Sequence, residues 1–318
     1  MKRSIHVFVF LVMVLAGPGC AAGAREGAAR GCVAAGAPFQ VMPLATLRGG
    51  LAQTDPFTRV PPPERIINLL QPVQVAVTAN DVFIADLGRR ELLRADRAQQ
   101  TFSRFAPLPP RAGGVAVDRW SSVYVTEPAQ RRVAEYRRDG SPAQVYTDVT
   151  SLSNPVDVAI GPSDRVYVAD AGGARVVVFN RLGQVVQLIG EKAGRPNPFR
   201  SVAALAAGPE GLYVLDPLAR QVHALTFEGE SRFSFGESSL RLPVSLAVDR
   251  FERVFVADQA DNTIRVFEPK QTGGTLGRRI EGVRFQRLND VWVDDTGLLY
   301  VADAVAGVSM LRVPPPCP

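Results

Sequence analysis

The chain has 318 residues, of which 46% are hydrophobic, with 28 glycines, 25 prolines and a formal net charge of +5. Its length allows two average domains, and its composition suits many short strands joined by tight turns. Three scattered cysteines with no Cys-x-x-Cys pair, and only two histidines, exclude a metal centre built from those ligands.

Lys2 and Arg3 precede an apolar run from Val7 to Ala16, which Gly17-Pro18-Gly19 ends. The run is too short to span a bilayer comfortably and reads as an export signal over residues 1–19. Two processing sites compete. Cleavage before Cys20 makes that cysteine the site of a lipid anchor. The pattern resembles a bacterial lipoprotein signal, from which Gly17 and Pro18 depart. Cleavage after Ala24, in Ala22-Gly23-Ala24, releases a soluble secreted or periplasmic protein instead. Residues 20–38 read as a flexible tether. By the resemblance, Ala21 beside Cys20 points to an outer-membrane lipoprotein facing the periplasm. Loss of Lys2 and Arg3 leaves a charge of about +3, which weakly favours an anionic partner. Outside the cytoplasm, nucleic acid is not an expected partner.

From residue 72 onward the chain repeats. An apolar strand ends in an acid six times: Phe83-Ile84-Ala85-Asp86, Tyr124-Val125-Thr126-Glu127, Tyr167-Val168-Ala169-Asp170, Tyr213-Val214-Leu215-Asp216, Phe255-Val256-Ala257-Asp258 and Tyr300-Val301-Ala302-Asp303. The acids lie 41, 43, 46, 42 and 45 residues apart. Short strands at a period of roughly forty residues or more are the sign of a β-propeller. In the third copy Pro155–Ile160, Arg165–Asp170, Arg175–Phe179 and Gln184–Ile189 read as four strands separated by turn chemistry, which makes one blade. The first strands begin at Pro72, Ala112, Pro155, Val202, Pro243 and Leu288; proline fits there because it opens the strand. The expected fold is all-β, a six-bladed propeller of four-stranded antiparallel blades over residues 39–318.

The sixth copy has only three strands before Val313. The missing outer strand is expected from the N-terminal stretch, either Phe39–Leu44 or Glu64–Leu69, closing the ring and leaving no open edge. Closure brings together the ends that carry Cys32 and Cys317. In an oxidising compartment these are expected to form a disulfide, the alternative being two free thiols.

The motif Pro-x-x-Val-Ala-Val/Ile, then Val-Tyr-Val-Ala-Asp, then Arg-Val-x-Val-Phe and Gly resembles the NHL repeat. Pro155–Gly183 and Pro243–Phe267 match it best, Ala112 with Glu127 and Val202 with Leu215 depart from it, and the resemblance covers about residues 72–313. It implies the propeller and says little of activity, because the family includes binding modules, receptor sensor domains and lyases.

Aligning the copies gives the third inner-strand residue of each blade as Gln74, Gly114, Asp157, Ala204, Ser245 and Asp290. Asp157 and Asp290 fall in opposite blades at the tunnel mouth. With Gln74 and Ser245 they offer oxygen ligands for Ca²⁺ or a polyhydroxyl compound, or bond to neighbouring backbone and tunnel water. The six strand-terminal acids are expected to hold the following turns. Loops on the same face, Gly190–Arg200 and Thr272–Arg287, carry Lys192, Arg195, Arg200, Arg278, Arg279, Arg284 and Arg287. They are expected to form a basic rim for an acidic glycan, lipid headgroup or protein, against the alternative of ordinary solvated charge.

Enzyme signatures are poor. The mature chain has one histidine, His223, which reads as a blade-surface or packing residue, whereas lyases of this general fold use several on a metal. No Gly-x-Ser-x-Gly elbow occurs. The expectation is a monomeric, non-catalytic binding or scaffold module for a protein or envelope component, with no cofactor. The alternatives are a calcium-dependent, lactonase-like hydrolase, which needs no histidine, and a purely structural envelope protein.

Overall fold

Six antiparallel sheets stand around one axis because each repeat supplies one buried face and cannot cover it alone. The computed structural model describes Cys32 and residues 38–54, 64–191, 196–268 and 277–316. Blade one comprises Pro72–Val77, Asp81–Asp86, Glu91–Asp96 and Phe102–Pro107. Blade two comprises Val115–Val117, Val123–Glu127, Arg132–Tyr136 and Pro142–Thr147. Blade three comprises Pro155–Ile160, Val166–Asp170, Arg175–Phe179 and Val185–Ile189. Blade four comprises Ala204–Ala207, Leu212–Asp216, Gln221–Leu225 and Ser231–Phe235. Blade five comprises Pro243–Val248, Val254–Asp258, Thr263–Phe267 and Arg278–Glu281. Blade six has Leu288–Val293, Leu298–Asp303 and Gly307–Arg312, with Met42–Leu47 as its outer strand.

Each blade interface holds its own core. The aromatic residue that opens the repeated motif (Phe83, Tyr124, Tyr167, Tyr213, Phe255 or Tyr300) is buried in every blade. Tyr167 packs with Val214 and Phe199 between blades three and four, and Tyr213 with Leu246 and Phe267 between four and five. Six such clusters run around the ring, the last joining Tyr300 of blade six to Ile84 and Phe102 of blade one. Each fully buried aromatic or branched side chain contributes on the order of 1.5–3 kcal/mol. Stability is therefore spread over six similar interfaces rather than one centre.

The N-terminal stretch stitches three blades. Phe39–Gln40 adds to the edge of blade five, parallel to Arg278–Glu281. Met42–Leu47 then completes blade six antiparallel to Gly307–Arg312. Gly49–Leu51 leaves the ring and pairs with Ile66–Asn68, lying against Phe102 of blade one. Of the two expected closing segments, the first supplies the closing strand, displaced to 42–47. The second is corrected: Ile66–Asn68 closes a small outer hairpin. Gly49 (φ +141°) permits that pairing, since a Cβ there would lie 2.2 Å from the Ile67 carbonyl oxygen.

One buried arginine holds both ends of the propeller. Arg253 pairs with Asp249 at 2.6 Å, each side chain only 3% exposed. Its Nη1 donates to the Pro314 carbonyl at 2.7 Å, and the guanidinium lies over the Phe39, Phe251 and Phe255 rings at 5.6, 5.4 and 5.8 Å. Cation–π contacts of this kind strengthen when desolvated. Phe39 begins the first strand and Pro314 follows the last, so the two ends meet at blade five. The export signal, Cys20, most of the tether and Cys317 lie outside the described residues.

Candidate functional site

Inner strands begin, and second strands end, at the same face: Pro72 pairs with Asp86, Pro155 with Asp170 and Pro243 with Asp258. This face, here the top face, carries the loops entering each blade and the turns between second and third strands. The strand-terminal acids lie just beneath it. Asp86 accepts the N–H groups of Leu70, Gln71 and Arg89. Asp303 accepts those of Gln286, Arg287, Val305 and Ala306. Asp170, Asp216 and Asp258 bind Asn154, Arg200 and Arg241 N–H groups in the same way. Asp86, Asp216, Asp258 and Asp303 therefore tie the entering loop to the turn, and Asp170 ties it to Arg175 of the third strand. Glu127 differs, bonding to the Arg132 guanidinium. Backbone donors hold the Asp216 and Asp303 carboxyls below the usual range, although burial opposes this.

At the axis the inner strands enclose a tunnel of about 240 Å³, walled by Val115, Ala159, Leu205, Ala247 and Trp292 and reached by Gln74, Asp157 and Asp290. A register shift after the first inner-strand residue in blades one, three, five and six sets the orientation of the third residue. Such bulges re-aim side chains. Blades two and four start later, at Val115 and Ala204 rather than Ala112 and Val202, and show no such shift.

Gln74, Asp157 and Asp290 line this tunnel, Ser245 meets it through its bond to Asp290, and the partners of the two acids are specific. Asp157 accepts the Leu205 N–H of blade four at 2.9 Å and its neighbour Val158 N–H at 2.9 Å. Asp290 accepts the Val75 N–H of blade one at 2.9 Å and the Ser245 hydroxyl of blade five at 2.5 Å. Ser245 Oγ in turn accepts the Val291 N–H of blade six at 3.3 Å. A third-position side chain thus satisfies the fourth-position N–H of the next blade. Gly114 has no side chain to do so, and Asp157 bonds the Val158 N–H itself, filling the space beside Gly114. A Cβ on Gly114 would lie 1.9 Å from Asp157 Oδ1.

Burial raises the Asp157 carboxyl to about 8; the Leu205 N–H opposes this, and the charge of Asp290 adds to it. Burial raises Asp290 to about 6, against the Ser245 and backbone bonds. All four carboxyl oxygens accept hydrogen bonds from N–H or O–H donors. Ca²⁺ takes about six to eight oxygen ligands, and this belt offers two carboxyls whose oxygens are already engaged by N–H and O–H donors. Among the described residues no group of three or more His, Cys, Asp and Glu side chains gathers as a metal site.

His223 lies in the third strand of blade four, 8% exposed, with Nδ1 3.0 Å from Ser234 Oγ and its ring edge-on to Phe199. Burial lowers its pKa, opposed by Asp216. Among the described residues it packs on Phe199, and the hydroxyl it meets is that of the outward Ser234.

The basic rim divides. Lys192 and Arg195 lie outside the described residues. Arg278 and Arg279 are corrected from loop to strand: they begin the outer strand of blade five, where Arg278 pairs with Glu268 and stacks on Phe39, and Arg279 reaches Asp261 at 3.2 Å. That four-residue strand has no β alternation to reveal it. Arg200 and Arg284 remain as exposed top-face cations. The structure adds Arg90, Arg131 and Arg220, one in each second-to-third-strand turn of blades one, two and four, with Arg111, Arg241 and Arg287 in entering loops. None of these eight exposed side chains forms an ion pair among the described residues, whereas Arg119 and Arg181 on the opposite face share Asp164. Their repeated place after the second strand was visible in the sequence only once blades were aligned.

The family model of the NHL repeat matches residues 152–179, the first three strands of blade three with the end of the loop entering it. The NHL repeat-containing protein 3 of Mus musculus is 28% identical over 187 residues, 51% of this chain and 53% of that protein. The chain thus spans about half the length of the curated relative it matches. Among solved structures, virginiamycin B lyase from Staphylococcus aureus aligns with a TM-score of 0.59 at 11% identity, covering 87% of this chain and 94% of that one. A protein of unknown function from Bacteroides thetaiotaomicron aligns with a TM-score of 0.62 at 15% identity, covering 85% and 75%. At these identities the structural likeness is one of fold. Together with the six blades, the repeat match supports an NHL-repeat propeller.

Proposed function

We propose that the chain is a non-catalytic binding or scaffold module, exported to a bacterial cell envelope and held on a membrane through Cys20, whose top face docks on an anionic protein or envelope component. The observation that carries this is the set of eight exposed top-face arginines, none in an ion pair among the described residues, on a ring otherwise closed by buried, self-satisfied acids. Arginine presents a planar fork suited to carboxylate and phosphate groups. The reading needs no cofactor and a single propeller. A Cys32–Cys317 disulfide belongs to it: Cys32 carries no free thiol, and Arg253 holds the flanking segments at Phe39 and Pro314.

The hydrolase alternative is weaker, because the tunnel carboxyls already accept hydrogen bonds. Crosslinking in intact cells, purification and mass spectrometry of the adducts test the proposal against an Arg200→Ala/Arg220→Ala/Arg241→Ala variant. Adducts lost in the variant, with an unchanged melting temperature, are expected. Adducts of equal yield in both would sink the rim as a docking face.

A further inference from the structure

Arginines and open apolar side chains alternate along one arc of the top face. From blade four to blade one the arc carries Leu218 and Arg220 in a turn, Arg241 and Leu242 entering blade five, and Arg284 and Arg287 entering blade six. Val305 in the blade-six turn, Leu70 entering blade one and Arg90 in its turn complete it. Leu218 is 70% exposed, Val305 63%, Leu70 59% and Leu242 52%. Apolar residues left this open are ordinary singly but not as a set on the loop tips of one face. Asp216, Asp258 and Asp303 lie buried beneath the arc on backbone N–H groups, Asp261 is taken by Arg265 and Arg279, and Glu237, bonded by Gln221, is exposed in the loop entering blade five.

We infer that this arc docks on an anionic phospholipid surface, its guanidinia on the phosphates and Leu218, Leu242, Val305 and Leu70 in the headgroup–acyl boundary. The inference rests on the top-face reading above and names its partner. Two features select a lipid surface over a folded protein. Protein hot spots cluster in a packed centre, whereas here the centre is the tunnel mouth and the apolar tips are dispersed over four blades. Each of Leu218 and Leu242 also stands within two residues of an arginine. That places an apolar tip and a phosphate ligand at adjacent depths, as an anionic bilayer interface requires.

The test uses the full chain carrying Cys20→Ser, so that no lipid anchor contributes. Its sedimentation with vesicles of phosphatidylcholine alone is compared with vesicles that also contain phosphatidylglycerol. Binding is expected only with the anionic lipid, and should weaken about tenfold or more between about 0.1 M and about 0.5 M salt. Arg220→Ala/Arg241→Ala/Arg284→Ala should lose about five-fold per arginine, roughly a hundred-fold in all. Leu218→Ser/Leu242→Ser/Val305→Ser should lose about tenfold or more at unchanged melting temperature. Equal binding to both lipids, no binding to either, or binding that both variants retain would overturn the inference. If vesicles are ignored while cells still yield arginine-dependent protein adducts, the lipid partner falls and the docking face stands. If neither is seen, both fall.

Discussion

Replacing Arg253 with methionine should loosen both ends of the ring at once. Methionine keeps the apolar stem but ends about where Nε stands, so the buried guanidinium and its contacts are lost. Asp249 would keep its bonds from the Phe251 and Arg253 N–H groups but lose its only cation, at 3% exposure. Breaking a buried pair by removing one partner costs about 3–5 kcal/mol. Loss of the donor to Pro314 and of the stacking on Phe39 adds to this, so about 5 kcal/mol is expected in total. Urea denaturation followed through Trp292, which lies in the tunnel wall and packs with the cores on both sides of blade one, measures it. Amide exchange at Phe39–Leu47 should accelerate in the variant, since local opening draws on the weakest contacts. Asp249→Asn/Arg253→Met should recover part of the loss, because no charge is then stranded. A change below about 1 kcal/mol with unaltered exchange at Phe39–Leu47 would refute the role given to Arg253.

Asp157→Asn tests the tunnel carboxyls. The free acid titrates near 3.9, and burial raises Asp157 to about 8, so the folded state keeps a proton that the unfolded state releases between those values. Stability from this site is full at about pH 4 and falls as pH rises through about 8. Asn turns its NH2 on one of the two N–H donors at a cost that does not change with pH, so the test is the slope: relative to the parent the variant should gain about 1–3 kcal/mol between about pH 4 and about pH 8, tunnel water screening part of the full shift; a difference independent of pH contradicts the assignment. Gly114→Ala should cost about 2 kcal/mol or more in urea melts, because the new methyl meets Asp157 Oδ1 and, at 2.6 Å, its Cα; a neutral result would mean that blade two shifts freely. In the exported protein, intact mass under non-reducing conditions should show Cys32 and Cys317 protected from alkylation, and two alkylated thiols would remove the proposed disulfide.

The repeat was legible because each blade restates the same strand ending, and the buried Phe or Tyr with its following acid follows from one packing role repeated six times. The closing strand was only half legible. Met42–Leu47 is largely exposed, so it lacks the alternation that marks a half-buried strand, and Ile66–Asn68 offered a stronger apolar signal for a different pairing. The tunnel belt was found by position, but its chemistry was not, because the donors to Asp157 and Asp290 are backbone N–H groups of neighbouring blades, which no side-chain pattern encodes. Arg278 and Arg279 were misplaced for a related reason: four residues recruited as an outer strand carry no periodicity of their own. Arg253 gave no signal at all, since its partners Phe39, Asp249 and Pro314 are distant in sequence or unremarkable within it.

Photo-crosslinking in intact cells tests the central claim most directly. Probes at Ala129 and Ala260, exposed in top-face turns, are compared with one at Ala98, exposed on the opposite face. The account predicts adducts, lipid or protein, at Ala129 and Ala260 but not at Ala98, and their loss when Arg200, Arg220 and Arg241 are replaced by alanine. Adducts of equal yield on both faces, or none on the top face, would contradict it.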